Sequence, residues 1–547
     1  MDLDRRVKNT LFFVSVFFLT SLFTACNTHR KPSPSGYSDD LFTDKLKAAF
    51  KPIDTSNTKR IISIADNMRL TYQLDDYQPI WIKENYVPND AAADLVADLE
   101  EMQWDGIDPE RYNLSAIKKL KAKMDTTKKN SINDAITFDT ALTHSYLAAS
   151  RDLLLGTIRP KKVDSLWFHA NDSSWNAPSI LAESGNNYHS LNEYRSNVPT
   201  YKLLQNEYKL YHNLLNDTAF RQAIAAIKPG KHPDSEMLDH IHFIIKTEIP
   251  WLEPVPNDSV SNEKQIIAGY QNYVGIVPTG KLDSVTYTSL TTPPDTFLKK
   301  ISLNMERVRW MQKEFGDLYT IVDIPMMELF LRRAGENVMH MRVVVGKPER
   351  QTPSLYATMA NIVINPSWEV PPTILKQDVV PGFQKSGRNY LAKKGLKPYD
   401  KEGNAISVSS LNAGNLRKYS YKQDPGDDNS LGLIKFNLPN PWDIYLHDTP
   451  HRTDFAKRYR ALSSGCIRVQ QPQEMAIYIL SQIEKINFTQ GKLDTLIATH
   501  KSRWELLKTK IPVHIAYLTA FEDSTGKHIQ FFKDIYGRDA KLGTFMN

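Results

Sequence analysis

Two residues in the stretch YLHDTPHRTDFAKRYRALSSGCIRV (Tyr445–Val469) have the types and spacing for acyl chemistry: Cys466 and His447. A thiol attacks a carbonyl as its thiolate, so it needs a base within hydrogen-bond reach, and the base needs an orienter. His447 ends a predicted strand, WDIYLH, and Cys466 follows 19 residues later, beyond a polar loop that can return beside the strand. The second imidazole nitrogen then needs an acceptor, either the backbone carbonyl around Asp448 or the Asp448 side chain. The small residues Ser463, Ser464 and Gly465 let backbone approach a substrate carbonyl. The N–H groups of Gly465 and Cys466 are the predicted oxyanion donors. Arg468 is placed to fix the loop or a substrate carboxylate. The alternative for a lone cysteine is a small buried hydrophobe.

These groups need a framework. At 547 residues, 41% hydrophobic and 24% charged, the chain has the make-up of a globular protein of several domains. A net charge of +6, with no basic run interleaved with aromatics, gives no nucleic-acid signature. No phosphate loop or dinucleotide fingerprint occurs, and His447 and His451 have no further ligand at metal spacing, so no metal site is predicted.

At the N-terminus, Arg5, Arg6 and Lys8 precede the apolar run LFFVSVFFLTSLFTAC, which has the shape of a secretory segment. The small residues before Cys26 resemble a lipobox, so Cys26 is the predicted lipidation site. Residues 1–26 are then an export segment and 27–40 a polar tether. The second of the chain's two cysteines, Cys466, is left without a disulfide partner in an oxidising compartment.

Residues 41–255 read as helical, on periodicity in Asp90–Trp104, Ala135–Gly156 and Tyr201–Leu215. Residues 256–295 read as a small helical module. Residues 317–547 read as β-rich, from short apolar runs punctuated by Gly, Asn and Pro. Within them, 376–430 is a polar insertion. The expected fold class is multidomain α+β.

Several separated motifs carry a resemblance. HDTP and SSGCIRV, together with LGLIKF, VVVGKPERQTP, NPSWEVPPTI and QDPGDDNSLG, resemble L,D-transpeptidases with the YkuD-type catalytic domain, above all their large YcbB-like branch. Tyr270-Gln271, Gly275-Ile276, Thr279-Gly280, Thr286 and Leu290 are similar to a three-helix peptidoglycan-binding domain. The resemblance implies that Cys466 is the nucleophile, His447 its base and the Asp448 backbone the orienter. It implies that Gly465 and Cys466 form the oxyanion hole and that Arg468 braces the loop. Tyr445 and Ser464 would lie beside the substrate, Trp368 in the donor groove, and 376–430 would be a substrate cap over the site. The implied reaction is 3→3 cross-linking of peptidoglycan stems with release of D-Ala. The chain would be a periplasmic lipoprotein anchored to a membrane, with no metal or organic cofactor and with carbapenems as inhibitors. Hydrolysis of the same acyl-enzyme, attachment to a protein, or a non-catalytic wall-binding scaffold are the other readings.

Overall fold

The structure is a computed structural model describing residues 37–53, 63–169, 175–183, 188–228, 233–252 and 259–546. The export segment with Cys26, and the tether as far as residue 36, lie outside the described residues. The chain divides into two compact units. The smaller holds residues up to Leu99, Tyr112–Ala148 and Asn176–Ser190. It is helical apart from the hairpin of β1 (Ile82–Lys83) and β2 (Val87–Pro88). Its polar centre is the fully buried Asp139. One carboxylate oxygen accepts the N–H groups of Ile80 (3.0 Å) and Trp81 (2.7 Å), and the other accepts the Tyr72 hydroxyl at 2.6 Å. Burial nevertheless pushes the Asp139 carboxyl up to about 7.

The larger unit contains everything that positions Cys466. The helices Ser259–Tyr273 and Ser284–Leu290 enclose a turn fixed by the buried Gln271. Its amide donates to the Lys281 carbonyl (2.8 Å) and to Thr286 Oγ1 (2.7 Å), and its carbonyl accepts Gly280 N–H at 2.8 Å. Asp283 caps the second helix by accepting Thr286 N–H at 2.9 Å. The Gln, Gly and Thr of the module motif are therefore one hydrogen-bonded turn.

Against this module lie two buried acids, Glu207 and Glu248, that pair with no cation among the described residues. Tyr273 donates to Glu207, and Tyr211 bonds Tyr273 at 3.1 Å. Burial pushes Glu207 up to about 7 and Glu248 to about 8. Between pH 4.5, where the unfolded chain ionises, and those values, the folded state holds protons that the unfolded state has released. Stability therefore falls as pH rises through that window, by on the order of a few kcal/mol. The urea midpoint is expected to drop between pH 5 and pH 8, roughly the limits of that window. A Glu207→Gln/Glu248→Gln double variant should flatten the slope; an unchanged slope would refute the assignment.

The remaining strands are β3 (Trp167–Phe168), β4 (Leu318–Asp323), β5 (Glu328–Arg333), β6 (Glu336–Gly346), β7 (Ser354–Ile364), β8 (Trp368–Glu369), β9 (Lys397–Tyr399), β10 (Ser420–Gln423), β11 (Ile434–Asn437), β12 (Leu446–His447), β13 (Ala461–Ser463), β14 (Ile467–Val469), β15 (Arg503–Ala516), β16 (Ala520–Glu522) and β17 (Ile529–Phe531). The main sheet runs β11-β12-β14-β6-β5-β4-β15-β7-β3, with β13 on β6. β11 also pairs with β7, Phe436 opposite Ile362, so the strands close into a ring. Val322, Leu329, Val343, Ile362, Phe436, Leu446, Ile467 and Val513 belong to its apolar core, with Met475 and Ala476 of the helix Pro472–Tyr478. The two-residue β3 comes from within the region read as helical and pairs in parallel with the start of β7.

The 376–430 insertion is structured. β10 pairs with both β8 and β9. That sheet and the helices Val380–Ser386 and Arg388–Lys393 share a core containing Phe383, Leu391, Leu416 and Tyr421.

Candidate active site

β12 lies between β11 and β14. Its register pairs His447 with Lys435 on one side and with Arg468 on the other, and Leu446 with Ile467. Phe436, Leu446 and Ile467 are fully buried in the ring's core. Alternation then places Lys435, Tyr445, His447, Cys466 and Arg468 together on the opposite face. Cys466 stands beside Tyr445, one step before the His447–Arg468 rung. Thiol and imidazole are thus diagonal neighbours, offset by about 7 Å of strand. In the resting structure the half-buried thiol donates to the Asp443 carbonyl at 3.6 Å, and it makes no hydrogen bond to His447.

The loop before Cys466 is held from within and from behind. Gly465 has φ +123°, a conformation side-chain-bearing residues rarely adopt. Its N–H donates to Ser463 Oγ at 3.1 Å, and the Ser463 hydroxyl donates to the Cys466 carbonyl at 2.6 Å. Thr352 Oγ1 donates to the Gly465 carbonyl at 2.7 Å and accepts Gly346 N–H at 2.8 Å. The two expected oxyanion donors are therefore unequal. The Gly465 N–H is already engaged in the loop, whereas the Cys466 N–H has no partner among the described residues. Ser464 accepts Arg350 Nη1 at 2.9 Å, and Arg350 is paired with Asp378 of the insertion at 2.5 and 2.7 Å.

Asp448 was open to two roles. Its carboxylate accepts the N–H groups of Leu433 (2.9 Å) and Thr449 (2.6 Å) and pairs with Arg452 at 2.7 Å. A Cβ on Gly432 (φ +61°) would lie 2.4 Å from that carboxyl carbon, so the approach requires glycine. The side chain thus fixes the strand ends. The Asp448 and Leu431 carbonyls face the imidazole and favour its protonation, although Nδ1 completes no hydrogen bond. Arg468 donates to Asp454 at 3.2 Å, tying β14 to the turn Arg452–Ala456.

Burial, reinforced by the charges of Arg468 and Lys435, pushes His447 down to about 3. Burial pushes the Cys466 thiol up, opposed by hydrogen bonding from Tyr445 and by the Lys435 charge. The resting pair is thus a neutral thiol and a neutral imidazole. Lys435 Nζ lies 4.0 Å over the Tyr445 ring, which stands edge-on to His447 with centroids 5.6 Å apart. The Tyr445 hydroxyl interacts with the Cys466 thiol and with Trp368. Trp368, at the start of β8, packs against the insertion's core, so it joins that subdomain to the site.

Lys435, Arg350 and Thr352 lie in the LGLIKF and VVVGKPERQTP motifs, and the sequence alone assigns them no role at the site. The strand alternation in LGLIKF places Lys435 opposite the buried Phe436, and only the register adds His447. Lys435→Met is expected to move the pH midpoint of Cys466 alkylation upward, because a charge that favours the thiolate is lost. An unmoved midpoint would exclude this electrostatic role.

Two family models match the chain. Residues 317–513 match the L,D-transpeptidase catalytic domain (YkuD), and residues 66–207 match a scaffold domain. A Haemophilus influenzae protein provisionally named as an L,D-transpeptidase is 30% identical over 302 residues. That match takes in 53% of this chain and 58% of the relative, so the chain spans little more than half of the curated relative's length. Among solved structures, an L,D-transpeptidase from Mycobacterium smegmatis is 14% identical, covering 37% of this chain and 58% of that one, with TM-score 0.19. A mutant L,D-transpeptidase from Enterococcus faecium is 12% identical, covering 55% of this chain and 98% of that one, also at TM-score 0.19.

Proposed function

We propose that this chain, which carries a YkuD-type L,D-transpeptidase catalytic domain, cross-links peptidoglycan stem peptides through a Cys466 thioester, as a member of the large YcbB-like branch. The observation that carries this reading is the single sheet face on which Cys466, His447, Tyr445, Lys435 and Arg468 meet. His447 takes the Cys466 proton as sulfur attacks the carbonyl carbon of residue three in a tetrapeptide stem. The Cys466 N–H stabilises the oxyanion, with the Tyr445 hydroxyl beside it. Collapse breaks the peptide bond, and the departing D-Ala amine receives the proton from His447. The side-chain amine of residue three on a second stem then attacks the thioester. Its proton passes to His447, a 3→3 amide forms, and the sulfur leaves to be reprotonated. Trp368 and the 376–430 subdomain cover the donor strand of substrate.

The 256–295 module would hold the wall polymer, and lipidated Cys26 would keep the protein on the periplasmic face of a membrane. A carbapenem would acylate Cys466.

The test is intact-protein and product mass spectrometry of the chain lacking residues 1–26, incubated with disaccharide-tetrapeptide. The expected result is an adduct of disaccharide-tripeptide mass on Cys466, free D-Ala and a dimeric product. Tripeptide without dimer would replace cross-linking by hydrolysis. Neither adduct nor product, with retention on sacculi, would leave only the wall-binding scaffold.

A further inference from the structure

Two cations flank His447 on the Cys466 face, one on each neighbouring strand: Arg468 of β14 and Lys435 of β11. They are used differently. Arg468 is committed to the chain through Asp454 at 3.2 Å. Lys435 is half-buried, and its ammonium, which carries three donors, makes no hydrogen bond or ion pair among the described residues. Its Nζ still touches solvent and is therefore open to a ligand. The Tyr445 ring, 4.0 Å away, attracts the charge but accepts none of the three N–H groups. Burial disfavours the charged form of Lys435, opposed by a Cys466 thiolate and by Asp443.

The acyl transfer proposed above sets where substrate groups would fall around this cation. The scissile nitrogen must reach His447, which returns the proton to the departing amine. In an α-amino acid one carbon separates that nitrogen from the carboxylate carbon, a span of about 2.5 Å. Side chains paired across strands stand about 4.5–5.5 Å apart at Cβ. A leaving residue whose nitrogen lies at His447 therefore holds its carboxylate within reach of a flanking cation, and of the two only Lys435 is uncommitted.

We propose, resting on the transpeptidase reading for the identity of the ligand, that Lys435 binds the terminal carboxylate of the donor stem and thereby selects a stem of four residues. A stem ending at residue four presents a free carboxylate to the ammonium. A five-residue stem presents an uncharged peptide carbonyl there and carries its carboxylate one residue farther on, roughly 3.5 Å away. The ion pair also restores to the ammonium the stabilisation that burial removes.

The test is calorimetric titration of the Cys466→Ala chain, which cannot turn over, with disaccharide-tetrapeptide as the free acid and as its C-terminal primary amide. The acid is expected to bind about ten- to a hundredfold more tightly, the worth of one charge-assisted contact. Adding Lys435→Met should bring the acid down to the affinity of the amide. Adding Lys435→Arg, which keeps the charge, should retain most of the preference, an outcome that a purely structural role for the lysine does not give. Circular dichroism checks the fold of each variant. Equal binding of acid and amide, binding of neither, or a preference that survives Lys435→Met would each overturn the assignment. Acylation of Cys466 in the unsubstituted chain, measured with the same two peptides, separates this result from the transpeptidase reading. Equal acylation by acid and amide would sink the carboxylate site and leave cross-linking standing. Acid-selective binding that is lost in Lys435→Met, without any adduct on Cys466, would uphold the carboxylate site and sink the transpeptidase.

Discussion

Cys466→Ala is expected to bring adduct formation and cross-linking down to background, a loss of about 10⁶-fold or to the limit of detection. The protein should stay folded, because the thiol is only half-buried and is held by the Tyr445 interaction and a long contact to the Asp443 carbonyl rather than by packing. His447→Gln should behave differently. It removes the proton acceptor and keeps a polar group, so the thiol still reaches substrate, more slowly by about 10²–10⁴-fold. The pH profile separates the two roles. His447 stays neutral down to about pH 3, so the wild type should show no acid limb from an imidazole near pH 6–7, roughly where an unperturbed histidine titrates. The rate should instead rise toward alkaline pH as the raised thiol ionises. In His447→Gln the alkaline rise remains, and the rate at neutral pH falls most. Full neutral-pH activity in His447→Gln would remove histidine from the reaction.

The second large effect is on stability. Glu306 is fully buried in the helix Pro294–Arg309, which leads into β4. One carboxylate oxygen accepts Ile158 N–H (2.8 Å) and Trp310 Nε1 (3.0 Å), and the other pairs with Arg309 at 2.7 Å. Arg309 in turn donates to the Asp105 carbonyl and the Tyr201 hydroxyl, each at 2.9 Å. Glu306→Ala leaves a buried guanidinium, a backbone N–H and an indole N–H without their acceptor. It should cost about 3–5 kcal/mol, because removing one partner strands the others. Urea unfolding followed by tryptophan fluorescence measures it, and a loss below about 1 kcal/mol would refute the network's role. Activity per folded molecule should be unchanged, since none of these groups reaches the Cys466 face.

The grouping of the candidate residues was legible because its information is local. His447 ends a strand, Cys466 directly precedes one, and the small residues before it demand a tight loop, all inside one stretch. Lys435 was illegible as a site residue because its partner, His447, is fixed by strand register rather than by spacing. The inside of 376–430 was hidden for another reason. Phe383, Leu391, Leu416 and Tyr421 fall at no common period, so their shared core appears only after β8, β9 and β10 pair. β3 is two residues long, too short for any alternation to reveal. The surroundings of the Asp448 side chain depend on a contact the sequence does not display, Gly432 against its carboxyl.

The pairing of β11 with both β12 and β7 closes the sheet, and the last strand to join it is β15, which bonds β4 and β7. During synthesis the thiol-bearing segment emerges before residues 503–516 do. For that interval β4 and β7 have open edges, and the nascent chain carries a nucleophile on an unfinished wall. Chains stalled anywhere between Val469 and Arg503 should accordingly be poor folders, exposed to strand exchange with neighbours and to thiol oxidation. Completion of β15 ends both hazards in one step, tying the finished sheet to residues 503–516 rather than to the motif around Cys466.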